Sequence, residues 1–254
     1  MNVMVDGGKT QALVKAMKKY GIDYAVHSFN SEVDFKSMLL SRQQGTRSFG
    51  SLPNVIAIDS CAKNGFTEGT RIWNDPVLAG SPANWHTLKM PFLNRTIQLR
   101  TSSGCGFSCA FCSYPETARG VHLMELDQIE EHIKSALLIP GIQNIIFIDD
   151  TFNVPIPRFK EMCRMFTKYD FNWFSFLRSQ YIDAETAKLM KNSGCLGVYA
   201  GVESGNDVIL KNMDKKATRA NFEKGISFLR REGITVLAAF VLGFPGETEA
   251  TLGD

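Results

Sequence analysis

The sequence lacks the features that mark several large classes of protein. Its net charge is only +2, because 28 lysines and arginines are balanced by 26 aspartates and glutamates. The chain therefore has no large excess of positive charge that would favour binding to nucleic acid or to an anionic membrane surface. The longest apolar run, Val236–Phe244, is too short to cross a bilayer, and the first residues lack the charged start and apolar core of a secretory signal. These absences predict a soluble cytoplasmic protein.

Cysteine is also scarce, with six residues in a chain of 254. That number is too small for a disulfide scaffold in a chain of this length. The cysteines are unevenly placed, since three lie close together at positions 105, 109 and 112, while Cys61, Cys163 and Cys195 are scattered. Clustered thiols in a reducing compartment more often bind metal or take part in chemistry than pair as disulfides.

The pattern of the chain indicates three parts. Residues 1–60 alternate helical and strand-like segments and are typical of part of a Rossmann-like α/β domain, without its usual first strand and glycine-rich turn. Residues 61–94 contain glycines and prolines with little periodicity, which indicates a linker. Residues 95–254 alternate predicted strands and helices, which is typical of a parallel sheet with helical crossovers. We expect this last part to be truncated at its C-terminal end, because the chain stops just past the fifth strand.

Five strands and five helices are predicted in the last part, which fits an open sheet or a partial barrel rather than a closed eight-fold barrel. The predicted strands are 96–101, 144–149, 173–178, 197–202 and 235–242. The predicted helices are 126–138, 158–169, 184–192, 207–212 and 219–232. Asp183 is a natural N-cap for the third of these helices.

The three clustered cysteines follow the first of these strands with the spacing C-x3-C-x2-C. Three thiolates on one tight loop can hold three corners of an iron–sulfur cluster and leave the fourth iron without a protein ligand. A structural zinc site is the alternative, and it would need a distant fourth ligand such as His122. A chance grouping of buried thiols is a second alternative. The position of the cysteines at a strand end favours the iron–sulfur site.

The segment Cys105–Cys112, with Phe111 before the last cysteine, resembles the radical S-adenosylmethionine (radical SAM) superfamily. Four further segments at strand ends also resemble it: Phe147–Asn153, Arg178, Gly201–Gly205 and Gly243–Thr248. The resemblance covers residues 95–254 and implies a partial (β/α)6-type TIM barrel. It also implies a 4Fe–4S cluster on Cys105, Cys109 and Cys112. The open iron would bind S-adenosylmethionine, which one electron cleaves to methionine and a 5′-deoxyadenosyl radical.

The resemblance also implies cofactor contacts at the carboxyl ends of the strands, where barrel enzymes build their sites. Glu203 is expected to accept from ribose hydroxyls, or else to act as a charge at a helix N-terminus. Arg178 is expected to pair with the methionine carboxylate, or else with a neighbouring carboxylate. Asp149 and Asp150 are expected to accept from the methionine ammonium, or else to serve as a cap or turn.

Four more residues complete the predicted cofactor site. Phe111 is expected to pack by the cluster and the adenine. Val241 is expected to line the adenine pocket, with an ordinary core position as the alternative. Ser204 follows Glu203 in its motif, and Gly243 opens a loop suited to close approach of a ligand, although an ordinary turn would look the same.

The residues around the motifs are similar to those of enzymes with an N-terminal cobalamin-binding domain. Those enzymes are often methylases of unactivated carbon or phosphorus in natural products, including the phosphinate P-methylases. The resemblance therefore implies methylation of a small-molecule or peptide substrate, with a reducing partner such as flavodoxin or ferredoxin. Whether this chain binds cobalamin is left open, because the cobalamin-binding signature D-x-H-x-x-G is absent from the sequence. The alternatives are a non-methylating radical enzyme (cyclisation, dehydrogenation or methylthiolation) and a cluster-binding fragment without turnover.

Overall fold

The computed structural model describes residues 14–26, 31–58, 95–114 and 120–254. The chain divides into two compact units, Met1–Val77 and Leu78–Asp254. The predicted linker, residues 61–94, lies outside the described residues, and the three-part division of the sequence stays a prediction. Among the helices of the described ranges, none is long and apolar enough to cross a membrane.

The first unit contains two short helices and two short strands. In chain order these are α1 (residues 14–19), β1 (Tyr24–Val26), α2 (Glu32–Gln43) and β2 (Val55–Ala57). The strands pair antiparallel, with Ala25 opposite Ile56, whereas a Rossmann-like sheet pairs parallel neighbours. Two strands of three residues do not identify the sheet of a whole domain, so the Rossmann-like assignment of residues 1–60 stays a prediction.

The second unit is built on a five-stranded parallel sheet. Its strands are β3 (Thr96–Leu99), β6 (Asn144–Phe147), β7 (Asn172–Leu177), β8 (Cys195–Glu203) and β9 (Thr235–Phe240). They lie in the order β3-β6-β7-β8-β9, so each crossover leads to the next strand along. This confirms the five predicted strands and the α/β fold class of a partial barrel. A separate antiparallel hairpin pairs β4 (Ser102–Ser103) with β5 (His122–Leu123).

Helices fill the crossovers between the strands. They are α3 (Leu126–Leu137), α4 (Ile156–Phe166), α5 (Ala184–Asn192), α6 (Asp207–Asn212), α7 (Arg219–Arg231) and α8 (Glu249–Leu252). A 3-10 turn, Ser179–Tyr181, follows β7. The predicted N-cap is confirmed, because the Asp183 side chain accepts from the Thr186 amide at 2.7 Å. Helix α4 begins two residues before its predicted start, since Pro157 is tolerated in a first turn.

An aromatic core fixes the sheet against its helices. Phe147 of β6 and Trp173 of β7 are completely buried, as are Phe159 and Phe166 of α4. The rings of Phe147 and Phe166 stack with centroids 5.1 Å apart, and Trp173 meets both of them edge-on. Close packing of this kind leaves the strands little freedom to slide. It therefore holds their carboxyl ends in register at one edge of the sheet, where the cysteine loop lies.

Candidate functional site

The cysteine loop, residues 104–114, leaves the hairpin strand β4. Gly104 has φ +89°, and a Cβ there would lie 1.8 Å from the carbonyl oxygen of Gly120. Only glycine permits this approach, which closes the base of the loop. Within the loop, the Cys112 amide donates to the Cys109 carbonyl at 3.0 Å. The backbone thus curls tightly enough to turn all three thiols toward the sheet edge.

All three predicted cluster cysteines line one cavity of about 310 Å³ at the carboxyl ends of the strands. His122, the candidate fourth zinc ligand, does not line it. Among the described residues, no three histidine, cysteine, aspartate or glutamate side chains converge closely enough to hold a single metal ion. Three soft thiol donors facing one cavity, with Phe107 and Phe111 in its wall, fit an iron–sulfur cluster.

Arg178 lies directly after β7 and is only 7% exposed. Its Nη2 donates to Cys109 Sγ at 3.0 Å, and its Nη1 donates to the carbonyl oxygen of Lys215 at 2.9 Å. The guanidinium also lies 3.5 Å from the centroid of the Phe107 ring. The described contacts of this guanidinium are a thiol, a carbonyl and an aromatic face, and not the neighbouring carboxylate that was the alternative prediction. Pairing with the methionine carboxylate stays a prediction.

Glu203 ends β8 and forms a buried ion pair. Its Oε1 accepts from Lys215 Nζ at 2.9 Å, and the two side chains are 12% and 6% exposed. Glu203 adopts φ +71° at a register shift between β8 and β9. A left-handed backbone at a non-glycine residue is sparsely populated and frequent at functional sites. Here it turns the carboxylate into the same cavity as the thiols.

The β6 end contributes Asp150 and Thr151 to the cavity. The Asp150 carboxylate accepts from the Gly104 amide at 3.1 Å, and Thr151 Oγ1 lies 3.3 Å from Cys105 Sγ. Burial and a hydrogen bond to Asp150 raise the pKa of Tyr114 above its usual range. Tyr114 therefore stays a neutral hydrogen-bond donor at physiological pH. These contacts attach the first cysteine of the loop to the end of β6.

Asp149 does not line this cavity, although the sequence predicts a cofactor contact for it. It is 1% exposed, and its carboxylate accepts from the amides of Thr101 and Ser102 at 2.6 and 3.1 Å and from the Thr101 hydroxyl. Burial raises the pKa of Asp149, against the opposing effect of these hydrogen bonds. Two adjacent aspartates at a strand end point to opposite sides, so one faces the cavity and the other holds the backbone before the cysteine loop.

Replacing Asp149 with alanine is expected to destabilise the second unit by about 2–4 kcal/mol, because two buried amides lose their acceptor. Asp149→Asn is the matched control, since its amide oxygen still accepts from both. We expect the asparagine variant to lose much less, as burial already favours the neutral form of this carboxyl. Denaturant unfolding followed by circular dichroism measures both variants. Equal losses of stability in the two variants would contradict the role of Asp149 as acceptor for the backbone before the cysteine loop.

The remaining predicted cofactor residues lie around a second cavity or outside both. Ser204 and Val241 line a neighbouring cavity of about 780 Å³, and Glu203 lines both cavities. Gly243 lines neither; its amide donates to the Glu247 carboxylate, as in an ordinary turn. The cofactor contacts themselves stay predictions for all of these residues.

Sequence reasoning missed Lys215, Thr151 and Phe107. Lys215 is twelve residues from its partner Glu203, and nothing in its local sequence sets it apart from the adjacent Lys216. The structure places it by a turn in which both Asp214 and Lys216 have left-handed backbones, at φ +53° and +58°. Thr151 lies within the predicted β6 motif, so its position next to Asp150 could have indicated it.

Two further cysteines belong to the core and not to the site. Cys163 and Cys195 are completely buried. Burial raises the pKa of Cys163 to about 12 and the pKa of Cys195 still further. Both therefore remain protonated, and they behave as small apolar side chains. Cys61 lies outside the described residues.

Comparisons with known proteins show which family the chain belongs to. The model of the Radical SAM superfamily matches residues 99–254. This range includes the last residue of β3, the cysteine loop and the other four strands of the parallel sheet. An uncharacterized methyltransferase, PH0819, from Pyrococcus horikoshii is 32% identical over 162 residues, which are 60% of this chain and 35% of that protein. The ribosomal protein uS12 methylthiotransferase RimO of Caldanaerobacter subterraneus is 28% identical over 169 residues, 61% of this chain and 38% of that one.

The fold is also similar to that of a solved structure. TsrM, a radical S-adenosylmethionine methyltransferase from Kitasatospora setae, superposes with a TM-score of 0.71 at 19% identity, covering 96% of this chain and 50% of TsrM. The chain spans little more than a third of the length of the two curated relatives. The match to the superfamily model covers more than half of the chain and includes the three cysteines. The chain therefore belongs to the radical SAM superfamily, whose members use a 4Fe–4S cluster and S-adenosylmethionine.

Proposed function

We propose that this chain carries the catalytic core of a radical SAM methyltransferase, with its cluster on Cys105, Cys109 and Cys112. The observation that carries the proposal is the single cavity lined by three thiols, the Arg178 guanidinium and the Glu203–Lys215 pair. When bound, the cluster supplies the electron that cleaves S-adenosylmethionine to methionine and a 5′-deoxyadenosyl radical. The protein's part is to bind and orient the cofactor and to exclude water.

The side chains around the cavity suit the two ends of S-adenosylmethionine. Asp150 would accept from the methionine ammonium, and Lys215 would donate to the methionine carboxylate. Glu203 would accept from the ribose hydroxyls. Because Glu203 lines both cavities, the adenosine would extend from the thiol cavity toward Ser204 and Val241. Phe111 lines the thiol cavity and is 38% exposed, so its ring is free to cover bound groups.

The names of the relatives support methyl transfer as the outcome of the reaction. PH0819 is named a methyltransferase, and TsrM is a radical S-adenosylmethionine methyltransferase solved with its tryptophan substrate. The substrate we propose is a small or peptidic natural product methylated at an unactivated carbon or phosphorus. TsrM was also solved with cobalamin and a 4Fe–4S cluster, which supports cobalamin as methyl carrier in the whole protein. Within these 254 residues no histidine of a D-x-H-x-x-G motif is available for that role.

The cluster needs a one-electron donor, and flavodoxin or ferredoxin fits that need. A cytoplasmic location agrees with a cluster of reduced thiols, because that compartment keeps cysteines unpaired.

The test is production of 5′-deoxyadenosine by protein reconstituted anaerobically with iron and sulfide, reduced with dithionite and given S-adenosylmethionine. We expect equimolar 5′-deoxyadenosine and methionine from the wild type. Cys109→Ala is expected to lose both the iron–sulfur absorbance and the product. Cys163→Ala is the matched control, because it removes a thiol from the core and leaves the loop intact. Product from Cys109→Ala, or no iron in the wild type, would contradict the proposal.

The methyl-transfer part has its own readout. With a substrate present, methylation is supported by S-adenosylhomocysteine and 5′-deoxyadenosine together with a product that gains a methyl group and no sulfur. RimO, a methylthiotransferase, makes sulfur insertion the competing outcome, and a methylthio product would establish that reaction instead.

A further inference from the structure

Arg178 contacts one cysteine of the proposed cluster, and its contacts go beyond what cofactor binding requires. We infer that Arg178 is a positioning residue that holds Cys109 and makes the cluster easier to reduce, rather than a ligand of the methionine carboxylate. This inference rests on the proposed function, because it concerns the cluster that the three cysteines would hold.

The two ends of the guanidinium fork are directed at different groups. Nη2 donates to Cys109 Sγ at 3.0 Å, while Nη1 donates to the Lys215 carbonyl oxygen at 2.9 Å. A carboxylate is best bound when both ends of the fork donate to its two oxygens. Here the fork is divided between a sulfur and a carbonyl, and Cys109 is only 8% exposed. The arrangement therefore suits a buried thiolate rather than the carboxylate of a bound cofactor.

The face of the guanidinium is engaged as well. It lies 3.5 Å from the centroid of the Phe107 ring, and that ring also stacks with Tyr181, with centroids 6.1 Å apart. A planar cation over an aromatic face is stabilised by the charge distribution of the ring. Phe107 thus fixes the plane of the guanidinium so that one edge points at Cys109.

The backbone of Arg178 is held as firmly as its side chain. Asn153, completely buried, accepts from the Arg178 amide at 3.0 Å and donates to its carbonyl oxygen at 2.9 Å. The next residue, Ser179, packs against helix α7 at Gly225. These contacts fix the backbone of Arg178, and the contacts to Cys109, Lys215 and Phe107 hold its guanidinium. Restraint at both ends suits a fixed partner of a cluster thiolate.

A charged donor at a cluster sulfur has a predictable electrostatic effect. Reduction adds a negative charge to the cluster, and a cation hydrogen-bonded to one of its sulfurs stabilises that charge. Removing the cation should therefore make the midpoint potential more negative. Lysine keeps the charge, but it is a point donor that cannot reach sulfur and carbonyl together or stack on Phe107. The midpoint potential of an Arg178→Lys variant should therefore lie between that of wild type and that of a variant without a charge at this position.

The experiment compares wild type with Arg178→Met, Arg178→Lys and Arg164→Met. Arg164 is exposed on α4 and does not line the thiol cavity, so its replacement controls for net charge. Each reconstituted protein, at equal iron content, is titrated with a reductant without S-adenosylmethionine while electron paramagnetic resonance reports the reduced cluster. Affinity for S-adenosylmethionine is measured separately by equilibrium dialysis. Thermal melts identify any variant that does not fold, and Arg178→Lys then carries the comparison.

We expect Arg178→Met to have a more negative midpoint potential than wild type and Arg164→Met, with Arg178→Lys between them. An unchanged potential combined with weaker binding of S-adenosylmethionine would overturn the inference and assign Arg178 to the methionine carboxylate. That result would leave the proposed function intact. A wild type that takes up no iron would instead contradict the proposed function, and this inference with it.

Discussion

Replacing Gly225 with alanine is expected to lower the melting temperature of the chain by roughly 5–10 °C. Gly225 lies in the middle of α7, where a Cβ would be 1.8 Å from the carbonyl oxygen of Ser179 and 2.7 Å from its carbonyl carbon. These are backbone atoms, so the clash cannot be relieved by rotating a side chain. The helix or the 3-10 turn must move, at a cost larger than the ~1 kcal/mol that alanine gains over glycine in a helix.

The same substitution should also damage the site, because Ser179 directly follows Arg178. Displacing the turn would pull the guanidinium away from Cys109, so the reconstituted protein should hold less iron. Ser227→Ala is the matched control, since it introduces the same residue two positions along the helix. Scanning calorimetry and iron analysis measure both effects. A melting temperature for Gly225→Ala equal to that of the control would show that α7 does not pack against the turn as described.

Replacing Lys215 with methionine is expected to cost about 3–5 kcal/mol, since Glu203 would be left as an uncompensated buried charge. The Lys215–Glu203 pair is the most buried ion pair described, with side-chain exposures of 6% and 12%. Because we propose that both side chains contact S-adenosylmethionine, the variant should also bind that cofactor more weakly. Denaturant unfolding and equilibrium dialysis measure the two losses.

The adjacent lysine provides a close control. Lys216 pairs with Asp214 at the surface, with exposures of 62% and 38%, and exposed pairs of this kind contribute about 0–1 kcal/mol. Lys216→Met should therefore change stability little. The double variant Lys215→Met with Glu203→Gln should recover part of the loss, because it removes both charges. If Lys215→Met and Lys216→Met were equally stable, the buried pair would have no energetic role.

Much of the second unit could be predicted from the sequence because its strands are largely apolar. Segments such as Asn144–Phe147 and Asn172–Leu177 are rich in hydrophobic residues, and such runs are typical of strands covered by helices. The cysteine spacing likewise indicated the site, because three thiols within one tight loop are typical of a bound metal or cluster. The direction in which each side chain points was harder to predict from the sequence. Asp149 and Asp150 are neighbours of the same type, and only the position at which β6 ends decides which one faces the cavity.

Other parts of the site depend on contacts that no local pattern reveals. Lys215 reaches Glu203 through a turn with two left-handed residues of ordinary composition, Asp214 and Lys216. Such a conformation is tolerated by aspartate but disfavoured for lysine, so sequence preference alone does not predict this turn. Arg178 was recognised as a site residue, yet its partner Cys109 is 69 positions away. Tertiary packing, rather than local preference, determines which group its guanidinium meets.

The distance along the chain between the cysteine loop and the residues that hold it has a consequence for assembly. The Ala110 amide donates to the Met213 carbonyl at 2.9 Å, and the Ser108 hydroxyl donates to Asp214 at 2.9 Å across 106 positions of sequence. Closing contacts of such long range costs more chain entropy than closing local ones. We therefore expect the loop to reach its native conformation only after the sheet has formed, and iron to be inserted after that point. Until then the newly made chain would present its three thiols unprotected.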